Sequence, residues 1–361
     1  MRKCFAMPRK KITLQDVARA AKVSTATVSR VANGNSQVEA EIQTRVLAAA
    51  RRLGIDLTSS RKNCSIAFVL GNRDTLNEFQ SQVLMGAESY CAQRGWDLQF
   101  ISFVSDLGIP TRKLQLPQAL TRKDHVGGVI LSGTHSASVL AALRDLRIPF
   151  SVLGNNIVGD WRQEEYDCVT SDDVRGASEV TQHLIAQGHR SIYFLGDQRF
   201  PWYARCAAGY LRTMHDAGLE PTFSEIHSGD RELGYLAAKS LLVNRKRPTA
   251  IFAGNDQAAA GVYGALQESG VRIPDDISVA GFNDTIGSVL HPALTTAREF
   301  PKEQGRHLAE FVLRRIQDPD QPPQQVVIPT ELIRRDSVGA IAVSGNGNLK
   351  SRTTDLATQI R

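Results

Sequence analysis

Short apolar segments alternate with helical patterns along most of this 361-residue chain. SIAFVL (65–70) predicts a buried strand, and MGAESYCAQRG (85–95) predicts a helix after it. The alternation continues through DLQFISF, VGGVILSG and IPFSVLG, and it restarts after residue 165 with CVTSDD and SIYFLGD. Apolar strands separated by helices build parallel sheets in α/β units. We therefore expect two doubly wound subdomains with a cleft between them, because ligands bind at the carboxyl ends of such strands.

Polar side chains follow three of these predicted strands. Asn255 follows AIFAG, Asn283 and Asp284 follow ISVAGF, and Asp172 and Asp173 follow CVTS. Short Asn and Asp side chains often only cap the next helix, and any one of them has this structural explanation. Three such sites in the same topological place favour a shared polar cleft. Amide and carboxylate groups would suit a hydroxyl-rich ligand such as a sugar or a nucleoside.

The charge is unevenly distributed along the chain. Residues 1–62 contain thirteen Lys and Arg against four Asp and Glu, whereas the whole chain has a net charge of only +6. A basic N-terminal region on a mildly acidic body predicts a polyanionic partner, most often nucleic acid. The alternative is a solvated basic tail.

Within this basic region, three short helices are predicted. Thr13 and Asp16 form a capping box at the start of the first helix. Its apolar positions recur at helical spacing and are Leu14, Val17, Ala18 and Ala21. A third helix carries Ile42, Val46 and Leu53 on one face. Only Lys22 and Val23 separate the first helix from Ser24, which begins the second. Two helices joined by so short a turn are typical of a helix-turn-helix.

The second helix, STATVSRVANG (24–34), has an unusual composition. Ser24 can cap its start and Gly34 can end it. Its polar side carries small hydroxyl side chains and Arg30, which suits a helix that approaches base edges in the major groove. A small helical bundle that binds nothing is the alternative.

The segment ITLQDVARAAKVSTATVSRVANG resembles the N-terminal headpiece of the lactose-repressor (LacI/GalR) family of bacterial transcription regulators. The resemblance implies a DNA-binding headpiece that reads a double-stranded operator. It assigns the base-reading positions to Thr25, Ala26 and Arg30. It assigns phosphate contacts to Thr13, Ser24, Thr27, Ser29 and Asn33.

The remainder of the chain is similar to the periplasmic sugar-binding fold with which this family senses small effectors. The resemblance implies that Phe79, Asn255 and Asn283, with Asp284 behind it, contact the effector, and Asp172 is a further strand-end candidate. One position departs from the family pattern. Cys206 stands where the family has an effector-binding arginine, and Arg205 precedes it by one residue, about 100° away on a helix.

The linker departs from the family pattern as well. Only IDLTSSRKNCS separates Gly54 from Ile66, without the proline-asparagine start or the alanine-arginine-leucine pattern of the family's hinge helix. We expect a polar, flexible tether. Our hypothesis is that no leucine wedge kinks the operator.

These features divide the chain into an α-helical helix-turn-helix headpiece and an α/β periplasmic-binding-protein-like core of two doubly wound parallel-sheet subdomains. The expected segments are a basic arm (1–11), the headpiece (12–57), a linker (58–65), an effector-binding core (66–335) and a disordered tail (336–361). Within the core, we expect an N-subdomain of about 66–165 and 295–325 and a C-subdomain of about 166–294 and 326–335.

The function classes are narrowed by what the sequence lacks. It has no metal-ligand spacing, no GxSxG elbow, no phosphate-binding loop and no stretch of about 20 apolar residues, so we expect no enzyme, metal, cofactor or membrane span. The five cysteines show no paired spacing and no signal peptide is evident, which favours a cytoplasmic protein.

The favoured function is therefore a transcriptional regulator, and a repressor in particular. We expect it to bind a palindromic operator as a homodimer and to respond to a small effector such as a sugar. The apolar face of Val83, Leu84, Ala87 and Cys91 belongs either to the dimer interface or to ordinary core. Two alternatives remain at this level. One is a DNA-binding regulator whose degenerate core senses no effector, and the other is a solute-binding protein.

Overall fold

The computed structural model describes residues 13–32, 38–54, 65–73, 76–122, 126–243 and 247–341. The predicted basic arm, Asn33, residues 55–57 of the predicted headpiece and residues 58–64 of the linker lie outside the described residues. The headpiece contains three helices, α1 (Leu14–Ala21), α2 (Thr25–Ala32) and α3 (Ala40–Arg52). This arrangement confirms the predicted helix-turn-helix.

Local side-chain bonds define where the headpiece helices begin. The Asp16 carboxylate accepts hydrogen bonds from both the backbone N–H and the hydroxyl of Thr13, at 2.8 Å each, at the start of α1. Lys22 then takes a left-handed conformation (φ 54°) that ends α1. At α2, Ser24 Oγ accepts a hydrogen bond from the backbone N–H of Thr27 at 3.0 Å, as the predicted cap requires.

The headpiece core is small and apolar. Its fully buried members are valine and alanine side chains from all three helices: Val17, Ala21, Val28, Val46, Ala49 and Ala50. Arg45 Nε also donates to the carbonyl oxygen of Ala21 at 3.1 Å, which ties α3 to the end of α1. Since Val28 and Val31 of α2 pack inward, the opposite face of that helix remains on the surface.

The core consists of two α/β subdomains, each built on a six-stranded sheet. The helices are α4 (Glu78–Ala92), α5 (Gln118–Thr121), α6 (Ala137–Asp145), α7 (Asp173–Ala186), α8 (Pro201–Asp216), α9 (Asp230–Val243), α10 (Asp256–Glu268) and α11 (Pro301–Gln317). The strands are β1 (Ser65–Gly71), β2 (Asp97–Phe103), β3 (Gly128–Gly133), β4 (His135–Ser136), β5 (Phe150–Leu153), β6 (Ile157–Val158), β7 (Cys168–Ser171), β8 (Ile192–Leu195), β9 (Thr222–Phe223), β10 (Ala250–Ala253), β11 (Ser278–Asn283), β12 (Thr295–Arg298), β13 (Gln325–Ile328) and β14 (Glu331–Ile333).

The two sheets confirm the predicted parallel architecture. The first has the order β13-β7-β5-β3-β1-β2, with every neighbouring pair parallel. The second has the order β14-β12-β11-β10-β8-β9, and only β14 runs antiparallel to its neighbour. β4 and β6 form a separate two-stranded ribbon.

The chain crosses between the subdomains at different points from those expected. β7 pairs with β5, so it belongs to the first sheet, although a boundary at 166 assigns it to the second. β12 pairs with β11 in the second sheet, and β13 pairs with β7 in the first, both opposite to the expected division. Strand pairing depends on contacts between residues far apart in the sequence. A short apolar strand therefore has no local feature that shows which sheet it joins. The subdomains are 65–171 with 301–328, and 173–298 with 331–341.

Glycines allow helices of the core to pack at very short range. A Cβ placed on Gly305 of α11 would lie 1.9 Å from the carbonyl oxygen of Val83, and one on Gly86 of α4 would lie 2.0 Å from that of Lys302. The α4 face of Val83, Ala87 and Cys91 is therefore buried against α11 as core of the first subdomain. The alternative of ordinary core is the one that the structure supports for this face.

The chain remains attached to the second subdomain beyond residue 335. Ser337 is buried, accepts a hydrogen bond from the Thr295 N–H at 2.8 Å and donates to the carbonyl oxygen of Val279. One ring nitrogen of His189 lies 3.1 Å from the Thr249 hydroxyl, and the other lies 3.1 Å from the Gly339 carbonyl oxygen. Burial lowers the pKa of His189 to about 4, which is consistent with a structural role. The expected disorder is thus wrong for 336–341, and residues 342–361 lie outside the described residues. Within the described ranges, no helix is long and apolar enough to span a membrane.

Candidate functional site

The exposed face of α2 carries all three side chains assigned to base reading. Thr25, Ala26 and Arg30 are exposed. Thr27 and Ser29 are half-buried beside them, and the Thr27 hydroxyl lies 2.8 Å from Ser24 Oγ. Small side chains at the start of the helix leave its backbone accessible, so the helix can approach base edges closely.

The second candidate site is a cleft where the carboxyl ends of the two sheets face each other. Its volume is about 550 Å³ including space open to solvent. Five of the residues expected to contact an effector line it: Phe79, Arg205, Cys206, Asn255 and Asn283. Asn255 also caps α10, since its Oδ1 accepts from the Ala258 N–H at 2.7 Å. One residue can thus serve both as a helix cap and as part of the cleft wall.

Two expected residues lie elsewhere. Asp172 accepts a hydrogen bond from the Arg175 N–H at 3.2 Å, so it caps α7 and does not line the cleft. Asp284 is bound by Arg335 Nη1 at 2.7 Å and by Arg298 Nε at 2.8 Å. These bonds turn the Asp284 carboxylate away from the cleft, into a buried ion-pair network of the second subdomain. The strand-end rule was therefore wrong for both side chains.

Asp173 occupies the cleft floor in place of Asp172. Its Oδ2 accepts from Arg205 Nε and from Asn155 Nδ2, at 2.8 Å each, and its side chain is only 4% exposed. Burial raises the pKa of Asp173, and the charge of Arg205 opposes that rise. Although Arg205 is offset from the family's arginine position, its side chain reaches the cleft through this ion pair.

Glu299 lies beside this pair, in the segment that leaves β12. Its Oε1 accepts from Ser171 Oγ at 2.7 Å, and Gln304 Nε2 donates to the same hydroxyl. Burial, and then the charge of Asp173, raise the pKa of Glu299 to about 8. Since Ser171 and Gln304 belong to the first subdomain and Asp173 to the second, the cleft floor joins the two subdomains.

Several buried polar atoms in this cleft have no hydrogen-bond partner in the part of the chain that the structure describes. All belong to residues of the cleft wall: the acceptors Asn156 Oδ1, Asp173 Oδ1 and Gln304 Oε1, and the donors Trp202 Nε1 and Arg205 Nη2. Buried polar groups in folded proteins are nearly always hydrogen-bonded. A concentration of unpartnered atoms in one concave site is therefore typical of a place that binds a polar molecule.

Aromatic rings form part of the cleft wall. Trp202, near the start of α8, stacks on Phe200 with ring centroids 4.7 Å apart, and the guanidinium of Arg73 lies 4.0 Å from the Trp202 ring centroid. Sequence reasoning missed Trp202, because no local pattern indicates that the start of α8 faces the cleft. It also missed Glu299, although a polar residue directly after the strand TTAR carries the same signal that was applied to Asn255.

A three-helix headpiece followed by a two-subdomain α/β core with a polar cleft defines the class of ligand-responsive DNA-binding regulators. Residues 13–55 match the sequence profile of "Bacterial regulatory proteins, lacI family", and residues 181–338 match "Periplasmic binding protein-like domain". The chain belongs to the LacI family and is a DNA-binding transcriptional regulator.

Individual relatives and structures agree with this assignment. The chain is similar to the ribose operon repressor of Escherichia coli K12, with 31% identity over 338 residues that cover 90% of this chain and 99% of that protein. It is 30% identical to the repressor PurR of Vibrio campbellii over 90% of this chain and 98% of that protein. Among solved structures, the regulator CelR in complex with cellobiose has a TM-score of 0.66 at 28% identity and covers 91% of this chain and 100% of that one.

Proposed function

We propose that the protein is a homodimeric repressor whose operator binding is controlled by a small, hydroxyl-rich molecule held in the cleft, and that it has no catalytic role. The observation that carries this proposal is the set of buried, unpartnered polar atoms on both walls of the cleft. A ligand that bridges these walls would fix the relative position of the subdomains.

The chemistry of the walls favours a polar, ring-shaped ligand. Trp202 and Phe79 provide flat apolar surfaces, while Asn255 and Asn283 provide amide groups. Relatives that regulate a ribose operon, and a structural neighbour that holds cellobiose, support a sugar or a related metabolite. These names describe the relatives, and they guide the choice of test compounds for this protein.

DNA recognition is proposed to rest on Thr25, Ala26 and Arg30 for bases, and on Thr13, Ser24, Thr27, Ser29 and Asn33 for phosphates. A single headpiece offers little contact area, so specific binding requires two copies on a palindromic site. The proposed absence of a leucine wedge stays a prediction, because Leu57 lies outside the described residues. A circular-permutation gel assay that found a strong central bend, lost in Leu57→Ala, would contradict it.

The alternative of a regulator that senses nothing makes a different prediction. A core without a ligand would be expected to fill its cleft with apolar side chains, whereas here the polar atoms persist despite Cys206. The experiment is a thermal-shift screen of sugars, polyols and nucleosides, followed by fluorescence-anisotropy measurement of operator binding with each hit. A compound that raises the melting temperature and changes operator affinity supports the proposal. Sequence-specific DNA binding that no compound alters favours the alternative.

A further inference from the structure

Acidic residues outnumber basic residues in the cleft. Five charged residues line it: Arg73, Asp173, Arg205, Asp230 and Glu299. Arg73 lies over the Trp202 ring, and Asp230 accepts a hydrogen bond from the Tyr203 hydroxyl at 2.9 Å. The floor is left with the two carboxylates of Asp173 and Glu299 and the single guanidinium of Arg205.

Arg205 is committed to one of these carboxylates. Its Nε lies 2.8 Å from Asp173 Oδ2. The bonds to the Glu299 carboxylate come from a neutral group, the Ser171 hydroxyl, whose position is set in turn by Gln304. No described Lys, Arg or His nitrogen lies within the 4.0 Å ion-pair distance of Glu299. The floor therefore has one more carboxylate than it has cations.

Two acceptors on the floor, and one donor, Arg205 Nη2, are buried without a hydrogen-bond partner among the described residues. The acceptors are Asp173 Oδ1 and Gln304 Oε1, and their residues are 4% and 0% exposed. A hydrogen-bonded chain connects them, since Asn155 bonds both Asp173 and the backbone of Ser171, and Ser171 bonds both Glu299 and Gln304. An ammonium group brings three donors and one positive charge, which matches this set of groups.

We infer that the cleft floor binds the protonated amine of an otherwise hydroxyl-bearing effector, of the chemical class of amino sugars. This inference rests on the proposed function of the cleft as an effector site and specifies which effector it takes. The ammonium lies between Asp173 and Glu299, and the hydroxyl groups of the ring extend toward Asn255, Asn283 and Trp202. An effector with a carboxylate at that end would meet the buried Asp173 carboxylate, and a neutral sugar would leave Glu299 in its protonated form.

Proton release distinguishes an amine from a neutral ligand at this site. Without a cation nearby, the charged form of Glu299 is disfavoured by burial and by Asp173, and its pKa is raised to about 8. An ammonium that arrives beside Glu299 favours the ionised form, so binding below about pH 8 expels a proton. A neutral sugar has no such effect on Glu299.

The test is isothermal titration calorimetry of the full chain with three matched pairs: glucosamine and glucose, galactosamine and galactose, mannosamine and mannose. Titrations at about pH 6.5, below the usual amino-group pKa of about 8, keep the amines protonated. Two buffers with different ionisation enthalpies report the number of protons released. We expect at least one amino sugar to bind about tenfold or more tightly than its neutral partner, with net proton release.

Variants locate the effect on the floor. Glu299→Gln should abolish the proton release and reduce the preference for the amine, while neutral-sugar binding is retained. Asp173→Asn should reduce the same preference, which gives a second, independent variant. Asp216→Asn removes an acid that is 74% exposed on the far end of α8, and it should leave binding unchanged.

The outcomes separate this inference from the proposed function. A neutral sugar that binds as tightly as its amine partner, or amine binding without proton release, overturns the inference, and so does the absence of binding by every amino sugar tested. Operator binding measured on the same samples reports on the proposed function. If a neutral ligand alters operator affinity, the regulator function stands and only the ammonium site is wrong.

Discussion

Arg205 Nε lies 2.8 Å from Asp173 Oδ2, and this ion pair joins α8 to α7 at the floor of the cleft. Breaking a buried pair from one side leaves an uncompensated charge and typically costs about 3–5 kcal/mol. Arg205 is itself 28% exposed, so we expect Arg205→Met to lower the free energy of unfolding by about 3 kcal/mol. Urea unfolding followed by circular dichroism measures this change.

A matched variant on the same helix separates the effect of breaking the buried ion pair from the effect of removing an arginine. Arg212 lies 4.0 Å from Asp216, with both side chains about three-quarters exposed. Arg212→Met should therefore cost less than about 1 kcal/mol. In Arg205→Met/Asp173→Asn the unpaired charge is gone, and we expect much of the lost stability to return. Equal effects of Arg205→Met and Arg212→Met would show that the buried pair has no special role.

The predicted caps and cleft residues show which side-chain positions can be inferred from the sequence. The caps at Thr13 and Ser24 and the strand ends at Asn255 and Asn283 were predictable, because each depends on neighbours within a few residues. The choice between Asp172 and Asp173 was not, because it depends on which of two adjacent side chains points inward when α7 begins. Arg205 was expected to point about 100° away from the ligand position, yet its long side chain reaches the cleft by bonding Asp173.

The division of strands between the subdomains was unpredictable for a different reason. Each of β7, β12 and β13 is a short strand with no feature that selects one sheet. Their pairing with β5, β11 and β7 is decided by contacts far apart in the sequence, such as Val169 with Val326. Long-range pairing of this kind has no local signature.

Close helix packing in the first subdomain depends on Gly305. A Cβ at this position would lie 1.9 Å from the Val83 carbonyl oxygen, so Gly305→Ala forces α11 and α4 apart. Overpacking of this kind typically costs about 1–3 kcal/mol, and the clash with backbone favours the upper end of that range. Chemical denaturation of the full chain would measure the loss.

Gly264 provides the control for the Gly305 substitution. It also lies within a helix, α10, but a Cβ there meets no described atom within 4 Å outside its chain neighbours and the backbone of its own helix. Gly264→Ala should stabilise the protein by up to about 1 kcal/mol, because alanine has the higher helix propensity. If both substitutions stabilise the protein, the tight packing of α4 against α11 is not required.

Arg30 is exposed on α2 and is proposed to read a base. A bidentate contact between arginine and guanine contributes about 1–3 kcal/mol of discrimination. We expect Arg30→Ala to weaken binding to a selected operator by that amount, with a much smaller effect on nonspecific DNA. Fluorescence anisotropy at several salt concentrations measures both affinities.

The control for Arg30→Ala is Arg52→Ala, which removes the same charge from the end of α3. Loss of a headpiece charge that contacts no base weakens electrostatic binding to all sequences alike and reduces the salt dependence of the affinity. Arg52→Ala should therefore leave the ratio of specific to nonspecific affinity unchanged. A uniform loss in Arg30→Ala, with that ratio preserved, would assign Arg30 to phosphate contact.

The stability of the ligand-free protein should depend on pH through Glu299. Its pKa in the folded state is raised from 4.5 to about 8, first by burial and then by the charge of Asp173, while Arg205 opposes the rise. Cys206 also faces Glu299, and it stays protonated because burial raises its own pKa. Between about pH 4.5 and pH 8 the folded state holds a proton that the unfolded state has lost. Stability contributed by Glu299 is therefore present below pH 4.5 and is lost as the pH rises through 8.

Glu299→Gln removes this titration and keeps the shape of the side chain. We expect the melting temperature of the variant, relative to the parent, to increase steadily from about pH 5 to about pH 8 and then to level off. Each kcal/mol corresponds to about 2–4 °C in a domain of this size. Asp216→Asn, which changes an exposed acid, should melt in parallel with the parent over the same range. If Glu299→Gln also melts in parallel, Glu299 titrates as an ordinary exposed carboxylate and the floor has no excess buried acid.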